Sequence, residues 1–457
     1  MTYRGLSLPG EPSLADLKAI LPDYAALCAT VMQAIADRYD PAYPFINTKL
    51  DLITGADFPE DDPIRGKNAI YGWIQGRALE ALAGHARWLG QHPGHETLVE
   101  RLDMAMRQVL RQLRGMREKN GGHLSFFMLP DGTPFELNAR GQPVPLQEVD
   151  SQPFGFSDLF VSKGMYAAAR YLGDGATTME ASSYIDAVEA AIWDNTFRTD
   201  QISLDPRNPI ELKSGYHPHG PYMIQIGSVT MLVESGHPQA IGRGLALIEH
   251  ELSSYANLDG RVAGMVEGDF WEGVADDGTP YRDENGAVLS DPGHSLEFVG
   301  LSMKFIGAAQ MSGAVEGDQH DRLTKARRQL PTVLFRNFSN GYIDDPGGIS
   351  KAFDLVTRRH LNTDMPWWSL PETVRAAAYC LACNEVEADV EMILGILRDC
   401  HNAFLKFIRP DLHLMAYQTR DASGNPVDVI PATADADPGY HTGLSLIDTI
   451  RVLEAIE

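Results

Sequence analysis

Residues 155–173 read GFSDLFVSKGMYAAARYLG, and residues 320–338 read HDRLTKARRQLPTVLFRNF. Both carry apolar residues at helical spacing, but they differ in what fills the other positions. The first is apolar or small nearly all round, as is HTGLSLIDTIRVLEAI at 441–456. A helix apolar on most sides is buried on most sides, whereas one with a charged stripe keeps a face in water. This contrast decides the fold, because the chain alternates between the two kinds.

Twelve helices are predicted, at 14–40 (with Pro22 as a break point), 69–89, 96–117, 156–172, 182–197 and 226–234, then 240–256, 294–309, 320–337, 367–382, 386–408 and 441–456. The buried kind begins near Ala69, Phe156, Ile226, His294, Trp367 and His441, a two-helix unit recurring about every 70–90 residues. Six inner and six outer helices in alternation describe an all-α (α/α)6 toroid. The loops into the inner helices are rich in Gly, Pro and aromatics, and the tetrads PDGT (130–133) and DDGT (276–279) predict short hairpins. No linker or composition shift divides the chain, so one domain over 1–457 is expected, with residues 1–12 as a flexible tail.

The 62 acidic against 38 basic residues give a formal net charge of −24. A surface of that sign repels nucleic-acid phosphates and anionic lipid, so neither partner is expected. The amino terminus lacks the apolar stretch of a signal peptide, and no run of about 18 apolar residues is apparent, so a cytoplasmic location is expected. Four cysteines are too few for a disulfide scaffold. Cys380 and Cys383 have neither a second pair nor a neighbouring histidine to complete a zinc set, so no metal is expected.

In a toroid of this kind, polar residues at the starts of the inner helices converge on one funnel. Those residues are Arg77, Asp158, His217, His219, His294, Glu297, Trp367, Trp368, Glu372 and His441. Each has an ordinary structural explanation when taken singly: a helix-end charge, a core tryptophan, a loop histidine. Two adjacent tryptophans on a helix cannot face the same way, so one is expected to line the cavity, with Glu372 four residues after Trp368 on the same face. His294 and His441 share a context, each following a Pro-Gly turn at a helix start.

The segments WIQGRALEALA (73–83), GFSDLFVSKGMYAAARYLG (155–173), DPGHSLEFVGL (291–301), PWWSLPETVRAAAYC (366–380) and PGYHTGLSLIDTIRV (438–452) resemble, in order and spacing, those of the N-acylglucosamine 2-epimerase superfamily. The likeness runs from about residue 45 to the end of the chain, and that family's fold is an (α/α)6 barrel. The resemblance implies a cofactor-independent sugar 2-epimerase or aldose–ketose isomerase, mannose-type in the first instance, acting on a small carbohydrate, with dimerisation as a further expectation. It implies His294 and His441 as the acid/base pair, Glu297 as the group that orients His294, and Arg77 on the substrate carbonyl or C2 oxygen. Trp367, Trp368, Glu372 and Asp158 would line the sugar subsite. The match fails in GPYMIQIGSVTML (220–232), where relatives carry a histidine near Ile224 or Gln225; His217 or His219 from the loop is expected to fill that space, with Gln225 among the substrate-binding residues. The rival readings are an (α/α)6 glycoside hydrolase or polysaccharide lyase using paired carboxylates, and a non-catalytic sugar-binding protein.

Overall fold

The computed structural model describes residues 2–146, 152–204, 213–383, 387–430 and 433–456. Among these, twelve α-helices follow one another: α1 (Leu14–Arg38), α2 (Gly72–Leu89), α3 (Glu96–Lys119), α4 (Phe156–Tyr171), α5 (Gly175–Trp193), α6 (Gly220–Glu234), α7 (Ala240–Ser254), α8 (Pro292–Met311), α9 (Gln319–Gly341), α10 (Ser369–Cys383), α11 (Glu387–Leu405) and α12 (Ser445–Ala455). The even-numbered helices form an inner ring, each packed on the next. The ring closes where the turn Tyr440–Leu444, leading into α12, packs on α2. The odd-numbered helices lie outside, α3, α5, α7, α9 and α11 each against the inner helix before it and α1 against α12. The (α/α)6 toroid is the architecture.

Burial follows the sequence contrast. Fifteen of the 20 residues of α8 are buried, against eight of the 24 in α3, which keeps a charged face in water. The inner ring is tight because small residues let backbones meet. A Cβ placed on Gly164 of α4 would lie 2.1 Å from the carbonyl oxygen of Gly76 on α2, closer than any real contact.

Several expectations on boundaries are corrected. α5 starts at Gly175 rather than at 182, because Asp174 caps it by accepting from the Thr177 amide (3.1 Å). α6 starts at Gly220 rather than at 226, with Pro221 in its first turn. α1 passes unbroken through Pro22, forgoing one backbone hydrogen bond. Residue 386, the expected start of the eleventh helix, lies outside the described residues. α1 is also long and apolar enough to cross a membrane, contrary to the sequence reading, but 72% of its most apolar window is buried within the molecule. The segment expected as a loose tail is tied down: Leu8 is buried, its amide donates to Asn402 Oδ1 (2.8 Å), and the amides of Arg4 and Leu6 donate to Asp23 (3.0 and 2.9 Å).

Short antiparallel pairs staple the loops at the amino-terminal rim of the inner ring. Ile70–Tyr71 pairs with Phe127–Met128, His217–Pro218 with Gly273–Val274, Leu289–Ser290 with Ala352–Asp354, and Met365–Pro366 with Thr419–Arg420. The expected PDGT and DDGT hairpins are closed by the bridges Met128–Pro134 and Val274–Pro280. Each of these pairs fixes the chain just before, or across from, the start of an inner helix, and so fixes what that helix presents to the funnel.

Candidate active site

α8 begins with Asp291 as its cap, accepting from the amides of Gly293 (3.0 Å) and His294 (3.4 Å). Gly293 has no room for a side chain, since a Cβ there would meet the indole of Trp368 at 2.8 Å. Trp368 therefore lies against the first turn of α8, stacked on His294 with ring centroids 5.3 Å apart. Its ring also meets that of His441, with centroids 5.5 Å apart. His441 is held by a turn rather than by a helix end. Asp437 accepts from the amides of Tyr440 (2.8 Å), His441 (3.3 Å) and Thr442 (2.9 Å), and Gly439 takes a left-handed backbone (φ 84°) while its carbonyl accepts from His85 Nε2 (3.0 Å). Two imidazoles 147 positions apart in the chain thus meet one indole, and all three line one cavity of about 240 Å³.

Each imidazole is oriented through Nδ1 by a carboxylate. His294 Nδ1 lies 2.9 Å from Glu272 Oε2, and His441 Nδ1 lies 3.0 Å from Glu372 Oε1. Both rings then offer Nε2 to the cavity. Their charge states are pushed apart. Burial lowers the His441 pKa to about 4, helped by the Arg77 guanidinium, so this ring is neutral. Burial also opposes charge on His294, but the carboxylates of Asp291 and Glu272 outweigh it and raise its pKa, favouring imidazolium. One ring is ready to take a proton and the other to give one.

Arg77 lies on α2 with its guanidinium 4.1 Å from the centroid of the Phe160 ring and 5.6 Å from that of Tyr440. Among the described residues no carboxylate comes within ion-pair distance of it, and its Nε has no hydrogen-bond partner. Burial lowers its pKa from a value so high that it stays charged. An unpaired cation against aromatic faces, in a cavity with two histidines, is built to receive an oxyanion.

The other expected residues divide. Trp367 and Trp368 both line the cavity, Trp367 donating from Nε1 to Thr442 Oγ1 (3.2 Å). Glu297 lines it too, but does not orient His294. It projects down the funnel, to where its carboxylate, that of Glu372 and the His441 ring lie within 4.8 Å of one another, while His294 turns Nδ1 outward to the loop bearing Glu272. Glu372 sits below the sugar-sized space, paired with Arg375 and His441; burial pushes it up to about 7 against the pull of Arg375. Asp158, Gln225 and His219 do not reach the cavity. Asp158 accepts from the amides of Gly155 (3.0 Å) and Leu124 (3.0 Å) and from the Tyr184 hydroxyl, a structural cap. Gln225 is turned outward, donating to Glu189 on α5 (2.8 Å), because Ile224 takes the inward position beside Met223. His219 stands behind His294, ring centroids 5.9 Å apart. His217 is on the outer loop, 2.8 Å from Asp276.

The trios His219/Glu272/His294 and Glu297/Glu372/His441 carry donor types that suit a divalent cation. In both, a histidine nitrogen is already paired with a carboxylate of the same trio, and Lys351 or Arg375 brings positive charge alongside.

No protein-family model and no curated sequence matches the chain. Its structure is similar to a sugar epimerase from a ruminal bacterium (12% identity, TM-score 0.66, covering 97% of this chain and 99% of that one), to a D-mannose isomerase (14%, 0.66, 97% and 100%) and to the cellobiose 2-epimerase of Spirochaeta thermophila (12%, 0.65, 96% and 98%). These likenesses show a shared (α/α)6 fold. A family 76 glycoside hydrolase from a bovine Bacteroides thetaiotaomicron strain shares the helical toroid more distantly (11%, TM-score 0.50, covering 94% of this chain and 77% of that one).

Within this toroid, the chain places two polar groups at the site that sequence reasoning missed. Glu272 lies in the loop FWEGVADDGTPY, whose hairpin turn was legible but whose carboxylate carries no periodic signal. Lys351 enters from the strand region before Ala352–Asp354, with Nζ 2.6 Å from Asp291 and 5.6 Å from the centroid of the Trp368 ring. A charged residue beside a two-residue strand looks like any surface lysine in sequence.

Proposed function

We propose that this chain is a sugar isomerase or 2-epimerase that works without a cofactor on an open-chain aldose. The observation that carries the reading is the pair His294 and His441, set against one indole in one cavity, each held through Nδ1 by a carboxylate, with surroundings that push their pKa values in opposite directions. A C–H next to a carbonyl is weakly acidic, so its removal needs a base that is neutral and a fixed donor for the developing enediolate oxygen. His441 is the base in this reading, Arg77 the donor, and His294 the acid that returns a proton. Return to C2 on the opposite face gives epimerisation; return to C1 gives aldose–ketose exchange. The solved neighbours named as a sugar epimerase, a D-mannose isomerase and a cellobiose 2-epimerase support the same class. The cavity volume lies below the roughly 300–1,000 Å³ of drug-sized ligand sites, which suits one sugar unit at the reacting end. The rival hydrolase needs two carboxyls facing each other across a glycosidic oxygen, and the described lining has Glu297 alone.

The test is exchange of the C2 hydrogen for solvent deuterium, followed by proton NMR over mannose, glucose, fructose and N-acetylmannosamine, with aryl glycosides as the opposing panel. Wild type should exchange at least one free sugar, and should do so after dialysis against a chelator. His294→Ala and His441→Ala should each abolish exchange at unchanged helicity. Aryl release with inert free sugars would replace the isomerase by the hydrolase. Light scattering reads the expected dimer.

A further inference from the structure

Behind His294, on the side away from the cavity, stands a polar chain that the proposed reaction leaves unused. Glu272 holds His294 with Oε2, while its Oε1 lies 3.4 Å from His219 Nε2. The other nitrogen of His219, Nδ1, lies 3.3 Å from Glu251 Oε2. His219 is 1% exposed and Glu251 0%. Four elements contribute one member each: α7 gives Glu251, the start of α6 gives His219, the loop before α8 gives Glu272, and α8 gives His294. The two inner contacts are at ionic distance but are not aligned as hydrogen bonds, so both His219 nitrogens and both Glu251 oxygens have no hydrogen-bond partner. Charge, rather than directed bonding, holds this chain.

Buried carboxylates are costly and normally neutralise unless paired. Here an imidazole with a carboxylate at each nitrogen is the only cation within ion-pair distance of Glu251 among the described residues. Besides those carboxylates, His219 is faced by the Phe270, Tyr255 and His294 rings at 5.0, 5.8 and 5.9 Å. His294 is faced by Glu272, Asp291 and the Trp368 ring, with Lys351 held on Asp291. A buried ion chain adds little stability over apolar packing of the same volume, so one that ends on a cavity histidine calls for another purpose.

We propose that Glu251, His219 and Glu272 form a buried positioning chain, charged minus, plus, minus, whose inner members fix the Glu272 carboxylate in place, so that it holds the His294 imidazole with its Nδ1 proton on Glu272 and its Nε2 toward the cavity. That His294 then acts on a sugar rests on the function proposed above; the chain itself does not. The charge state fits the surroundings. Burial disfavours a charged His219, yet Glu251 and Glu272 raise its pKa to about 10, and burial raises Glu251 only to about 6 in spite of complete enclosure. The chain also accounts for the departure in the third inner helix: the histidine of this region stands one layer back, acting through another residue.

The test uses the whole protein with 15N-labelled histidine, and reads the His219 and His294 ring nitrogens by NMR from pH 5 to 9. His219 should keep the imidazolium pattern through pH 8. Glu272→Gln removes the anion from His294 and should lower its titration midpoint by about 1–3 units. His219→Gln removes a cation and should raise that midpoint. The basic limb of the kcat/KM profile should move with it in both variants, in opposite directions. A structural role alone predicts lost stability with unmoved or parallel midpoints. Neutral His219 at pH 8, shifts in the same direction, or a stoichiometric metal ion bridging His219, Glu272 and His294 would each overturn the proposal. If His219→Gln fails to fold, the wild-type titration still decides. Because that titration needs no substrate, inert sugars would sink the reaction and leave the chain standing.

Discussion

Burial makes His441 a neutral ring, and the charge of Arg77 adds to that effect. The guanidinium lowers the imidazole's pKa against the pull of the Glu297 and Asp437 carboxylates, and among the described residues no carboxylate lies within ion-pair distance of the guanidinium itself. Arg77→Met should therefore do two separable things. It should remove the donor for the enediolate oxygen, lowering kcat by about 10²–10³. It should also raise the His441 pKa, since a nearby cation no longer disfavours the charged ring, and so move the acid limb of kcat/KM to higher pH. The neutral base is present above its pKa and is lost as pH falls through it, so the variant should lose activity earlier on acidification. A rate–pH profile of the residual activity checks both. A lower rate with an unmoved acid limb would place Arg77 too far from His441 to tune it.

At the scale of elements, the crossing of α2 and α4 carries the most strain for the smallest change. Gly76 and Gly164 meet backbone to backbone, and Phe160, which supports the Arg77 guanidinium, sits one turn from the contact. Gly164→Ala should force the two helices apart at a cost of about 1–3 kcal/mol, seen as a Tm lower by several degrees in thermal denaturation, with activity falling more than stability as Arg77 shifts. This scale was also the most legible in the sequence. The difference between GFSDLFVSKGMYAAARYLG and HDRLTKARRQLPTVLFRNF separates inner from outer helices because burial acts on every position of a helix at once. Boundaries were less legible, since Asp174 and Pro221 each set a start by a single local contact. At the site, Gly-His and Trp-Trp placed His294, His441 and Trp368 together because turn chemistry and helix starts are written locally. Glu272 was not legible: its pairing with His294 spans 22 residues and depends on how a hairpin lies against the rim. Nor was the outward turn of Gln225, decided by which of two adjacent side chains α6 points inward.

For the whole molecule, the first helix packs on the last, α1 against α12, and the first residues act as a strap. Lys18 on α1 donates to the carbonyl of Ile456 (2.5 Å), while residues 4–8 run across α1 and α11 through Asp23 and Asn402. Deleting residues 2–12 should destabilise the toroid without touching the cavity, so Tm should fall while KM for any substrate stays unchanged. The loss should also depend on pH. Burial opposes charge on Asp23, but the Leu6 amide and the side chain and amide of Arg4 outweigh it and hold its pKa below the usual carboxylate value. A carboxyl lowered in the folded state adds stability that is full above its unfolded pKa of about 3.9 and is lost as pH falls through the folded value. The strap supplies all of those donors, so its removal should cost most at pH 7 and least in acid. Urea unfolding of full-length and shortened chains at pH 7 and near pH 3.5 measures the two gaps. Equal gaps would mean that the strap works through Leu8 and Asn402 alone, with Asp23 contributing nothing.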